Sequence, residues 1–167
     1  MVGDTLMNTV IEFTEEEIDY AKQVAKDIYD ESRRQGLNPG NAAGAGYEHG
    51  HDILGVVGEM AYAKVMGIEF VPNINQFKRP DVGDVHVRSS HALGHLILRP
   101  GDVVGLYAFV LVAKDYTWAR VVGHYEGAEA MTDKHWHNKE EVANKLRRGD
   151  PAWLVHHSEL KPLQEAA

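Results

Sequence analysis

The chain of 167 residues is 44% hydrophobic and 25% charged, one domain's worth of material with enough apolar side chains for a single core, which excludes a disordered chain. No run approaches the roughly 18 to 20 uninterrupted apolar residues of a membrane helix, and the first residues lack the basic and apolar regions of a signal peptide. The expectation is a soluble cytoplasmic protein with no membrane partner. The absence of cysteine removes disulfides, thiolate zinc sites, iron–sulfur clusters and cysteine nucleophiles, so a metal would have to be held by oxygen or imidazole. Against 25 Asp and Glu stand 17 Lys and Arg, a formal charge of −8 that opposes long-range attraction to phosphate backbones, so nucleic-acid binding needs a local patch or a bridging metal.

In chain order, Thr14 followed by Glu15, Glu16 and Glu17 reads as an N-cap with an acidic first turn. Ile18, Ala21, Val24, Ala25 and Ile28 recur at helical spacing, predicting a helix from about 15 to 35. Residues 36–50 hold five of the sixteen glycines, together with Pro39, and predict a flexible loop. From Asp52 to Gly67 nearly every position is apolar, which predicts a helix buried on most sides. Glu59 lies inside it, where a carboxylate is costly unless paired or bound to a cation.

Strands are expected at 68–72, 84–88, 95–99, 106–113, 117–125 and 152–157, with 106–113 central, and a helix at 138–148. In the second of these strands Val85 and Val87 share one face and Asp84, His86 and Arg88 the other. Two helices ahead of a mostly antiparallel sheet indicate an α/β (α+β) architecture, and no composition shift divides the 167 residues into more than one domain.

Chemistry concentrates around Glu59, Asp81, His86 and Arg88. Pro80 and Gly83 bracket Asp81 with turn residues, so Asp81 should open a bend beside the strand that carries the other two. Two carboxylates and a third donor suit a hard divalent cation, which polarises a phosphoryl oxygen and acidifies bound water. Arg88 would neutralise charge on a phosphate. For each residue a plain structural role competes: an ion-paired helix glutamate, a turn aspartate, an exposed strand face. Asp84 is a substitute carboxylate at this spacing.

GxxGExA on a helix (Gly55, Gly58, Glu59, Ala61), then NQFKRPDVGD, HVRSS, LILRPGD, FVLV, RVVGHYEG and WLVHHSELKPL, resembles small phage and prophage proteins of the PD-(D/E)XK nuclease-like superfamily. The resemblance covers about residues 10 to 163. It implies a restriction-endonuclease-like fold, a central mixed β-sheet flanked by helices, and metal-dependent DNA phosphodiester hydrolysis in the cytoplasm of the host cell. Residue by residue, it implies that Glu59, Asp81 and His86 hold Mg²⁺ or Mn²⁺ and that Arg88 faces the scissile phosphate. His86 and Arg88 depart from the usual acidic residue and lysine of that pattern. An imidazole shifts preference toward Mn²⁺, and a guanidinium can clamp but not act as a base.

Two other readings stand beside this one. The same fold without catalysis would serve as a phage structural, DNA-binding or host-factor-binding module, since fold does not decide function. Alternatively, His49 and His51, an HxH pair in the glycine-rich loop, would serve a histidine-based metallohydrolase. Trp118, Trp136 and Trp153 could stack on bases. Arg33, Arg34, Lys78, Arg79, Arg88, Arg99, Lys145, Arg147 and Arg148 could line a cleft. Partners are therefore DNA and, in principle, a second copy of the chain.

Overall fold

A computed structural model describes residues 9–36, 50–72, 80–145 and 150–162. The expected glycine-rich loop, His49, the side chain of His51, and Lys78, Arg79, Arg147 and Arg148 lie outside these.

Strand β1 (Val10–Glu12) leads into helix α1 (Glu15–Arg34) and helix α2 (Gly50–Met66). Next come β2 (Val85–Ser90), β3 (His95–Leu98), β4 (Leu106–Val112) and β5 (Trp118–Glu126). The short helix α3 (Gly127–Ala130), β6 (Trp136–His137), α4 (Lys139–Ala143), β7 (Ala152–His156) and a 3₁₀ turn (His157–Glu159) complete the order. The architecture is mixed α/β, as expected, but the strands divide into two sheets instead of one. The first has the order β1-β5-β4-β2 and the second β3-β7-β6. In the first, β2 and β4 run parallel and the other pairs antiparallel. Residues 68–72, expected as a strand, form no ladder with other described residues.

Helix α1 starts where the sequence places it. The Thr14 hydroxyl accepts from Glu17 N–H at 3.1 Å while Glu17 Oε1 accepts from Thr14 N–H at 3.0 Å, a reciprocal capping box. Its apolar stripe, Ala21, Val24 and Ala25, joins Val56, Val57, Met60 and Ala61 of α2 in the main core. On the sheet side that core takes Val87, Ala108, Val110, Val112, Ala119 and Val121. The opposite face supplies a second core, in which Tyr107, Phe109 and Tyr125 meet Leu96, Leu98 and Val155 of the second sheet. The result is three layers: helices, first sheet, second sheet.

Helix α2 lies close on the first sheet because Gly58 has no side chain. A Cβ there would sit 1.7 Å from Ser89 Oγ. That is where the GxxG spacing acts.

Candidate functional site at the start of strand β2

The strand alternation read from the sequence is present: Val85 and Val87 face the helices, and His86 and Arg88 face the second sheet. Ahead of it the chain folds back tightly. Gly83 takes φ +57°, a left-handed conformation that favours glycine, and Val82 and Val85 exchange backbone hydrogen bonds of 3.1 and 3.0 Å. The bend carries Asp81 alongside the strand, where Oδ2 accepts from Val87 N–H at 2.8 Å.

Burial pushes the Asp81 carboxyl above its ordinary range; the Val87 N–H and the charges of Arg88 and His86 pull the other way without cancelling it. His86 is buried at 7% exposure rather than lying on an open strand face. It stacks on Tyr107, its partner in the β2–β4 register, with ring centroids 4.8 Å apart and 24° between planes. Burial lowers its pKa, with Asp81 opposing, so the ring is neutral at pH 7. Gly105 makes room for it: a Cβ there would stand 3.2 Å from the imidazole.

Arg88 pairs with Asp102 at 3.2 Å, and its guanidinium carbon lies 5.1 Å from the Tyr107 ring centroid. Asp102 is itself held by accepting from Arg99 N–H at 2.8 Å, and the Tyr107 hydroxyl donates to Val103 O at 2.6 Å. One side of the molecule thus gathers Asp81, His86 and Arg88, backed by Asp102 and Tyr107.

Asp81, His86 and Arg88, three of the residues expected together, interact here. Glu59 stands on α2, which covers the other face of the sheet. Among the described residues no three His, Cys, Asp or Glu side chains gather to hold a metal ion. Asp84 is exposed in the turn.

Sequence reasoning missed Asp102 and Tyr107. Pro100, Gly101 and Asp102 are turn residues, and Gly101 adopts φ +100°. Nothing local couples a turn aspartate to an arginine fourteen positions earlier; the parallel β2–β4 pairing does that. A comparison with protein-family models, curated proteins and solved structures returns no match.

Proposed function

We propose that the chain is a metal-dependent DNA phosphodiesterase acting at Asp81, His86 and Arg88. The observation that carries this reading is the grouping of a burial-strained carboxylate, a neutral imidazole and a guanidinium on one bend and one strand face. The fold assignment to the restriction-endonuclease-like class belongs to the same proposal and rests on the residue pattern.

The donor set fits one mode of cation binding. Mg²⁺ commonly takes one or two carboxylates, keeping waters and substrate phosphates as its other ligands, and so does not require an all-protein cage. Asp81 would hold it through Oδ1, since Oδ2 is committed to Val87, with His86 alongside. When bound, the cation supplies an acidified water and charge neutralisation at the phosphoryl oxygens. Arg88 has five N–H donors, so it can keep Asp102 as a positioning partner and still face a phosphate. Tyr107 fixes both His86 and Arg88 by contact with its ring.

A labelled DNA duplex and single strand incubated with Mg²⁺ or Mn²⁺ should be cut by the wild type. Asp81→Asn and Arg88→Ala should each lose about a hundredfold or more, while Arg88→Lys retains part of the activity. Equal cleavage by wild type and both variants would sink the proposal. DNA retention dependent on Arg88, with no cleavage under either metal, would select instead the reading of a non-catalytic DNA-binding module.

A further inference from the structure

The outer face of the second sheet collects histidines that the site above does not use. In the β3–β7 register His95 lies directly opposite His156, and Ile97 opposite Leu154; in β6–β7, His137 lies opposite Ala152. All six therefore project to one face. Its middle is apolar: Ile97, Ala152 and Leu154 are covered by Val142 of α4. Its rim is imidazole. The His95 and His156 rings are 5.2 Å apart, and His157 follows with its ring 4.1 Å from that of His156. At the other end Lys145, just past α4, reaches His137 Nε2 at 3.3 Å.

We propose that His95, His156, His157 and Lys145, the last held in place by His137, form a contact site for the phosphate backbone of a nucleic acid, strengthened on acidification. The identity of the polyanion rests on the DNA reading above; the existence of an anion site rests on this geometry.

The hydrogen bonds decide what each ring can offer. His137 Nδ1 lies 2.7 Å from His135 O, and His157 Nδ1 lies 3.1 Å from Gly94 O. A carbonyl accepts, so both rings donate from Nδ1; His157 leaves Nε2 to gain a donor on protonation, while His137 Nε2 accepts from Lys145 and holds that ammonium at the patch. His156 is the reverse: Nδ1 accepts from Ser158 N–H at 3.2 Å, so neutral His156 already carries its proton on Nε2 and donates there. That same proton removes the lone pair a metal would need, and Lys145 stands against His137 Nε2. Among the described residues no three metal-ligating side chains gather to hold a metal ion, and the donors of His156 and Lys145 favour an anion.

Burial first, then His156, Lys145, His137 and His157, hold His95 below the usual imidazole range, which opposes its protonation until an anion offsets the neighbouring charges. Of the acidic residues on the adjoining elements, Glu141 accepts from Asn138 N–H and Glu159 is taken by Lys134 and His135. Asp150 has a partner of its own, and Glu140 is exposed on α4. An incoming phosphate relieves the mutual repulsion of the rings. From Ala152 to His156 the strand runs roughly 13 Å, long enough to lie along several phosphates of one strand.

The test is fluorescence anisotropy of a labelled duplex with the full chain carrying Asp81→Asn, in EDTA, at about pH 5.5 and 7.5. Binding should tighten about tenfold or more on acidification. The double variant His95→Gln/His157→Gln should lose most of that gain, and the surface substitution Lys145→Ala should weaken binding at both pH values. Far-ultraviolet circular dichroism confirms that the variants are folded. Affinity independent of pH and unchanged in these variants overturns the proposal. Loss of cleavage in Asp81→Asn would still be measured separately, so the nuclease reading stands or falls alone. Binding that appears only with added Zn²⁺ would make the patch a metal site and overturn it as well. Equal competition by inorganic phosphate and by DNA would overturn the assignment to a nucleic-acid backbone.

Discussion

Asp81 carries a charge that its surroundings oppose, and two consequences separate stability from function. Asp81→Asn keeps an oxygen for Val87 N–H and removes the desolvated charge, so at pH 7 the variant should be as stable as the wild type or up to about 1 kcal/mol more stable. Mn²⁺ should raise the melting temperature of the wild type and leave that of Asp81→Asn unmoved, because a ligand stabilises only the state that binds it. Differential scanning fluorimetry checks both. His124 provides the second case. It is 1% exposed, and its Nε2 lies 2.7 Å from the Tyr62 hydroxyl. Burial pushes His124 down to about 4 and Tyr62 up to about 12. With the folded pKa below the unfolded 6.5, the unfolded chain binds the extra proton first. Stability is full above pH 6.5 and falls as the pH drops toward 4, by on the order of 3 kcal/mol. Urea titrations at pH 7.5 and 4.5 should show that loss, and His124→Gln should flatten it.

At the scale of elements, the helix starts and strand faces were legible and the partnerships were not. The Thr14 box is read directly from residue types, and Thr14→Ala should cost about 1 kcal/mol in thermal unfolding. The alternation of β2 likewise follows from its sequence. His86 looks identical in that alternation whether it faces water or a tyrosine ring; burial at 7% exposure is decided by β4, twenty residues later. Glu59 shows the opposite limit. Its place in an apolar helix was plain, but which face of the sheet that helix covers depends on pairings no local pattern records. The GxxG spacing signals close approach without naming the partner, which proves to be Ser89. Gly58→Ala should therefore cost about 2 kcal/mol by forcing α2 away from the sheet. Ser89→Ala should be neutral or stabilising, since the buried Ser89 Oγ has no hydrogen-bond partner among the described residues. Chemical denaturation distinguishes these two outcomes.

For the molecule as a whole, a single sheet was expected and two were found, because β3 leaves the first sheet to pair with β7, a long-range choice invisible in strand propensity. Among the described residues no helix is long and apolar enough to cross a membrane. The division into two sheets gives this small chain two faces of different chemistry: the Asp81–Arg88 side and the histidine rim.

The final stretch of described chain also closes a border. Beyond the short β1, the outer side of β5 is taken up by residue 161, which trades backbone hydrogen bonds of 2.9 and 2.8 Å with His124. Gly123 permits this, as a Cβ there would sit 2.7 Å from Lys161 O. A chain cut after Glu159 would leave the His124 amide and carbonyl unsatisfied and available to a neighbour's strand. Such a truncation should self-associate on concentration, visible as higher-mass species in light scattering. Leu160 and Lys161 would then act as a selvedge, keeping one woven edge from being stitched onto another.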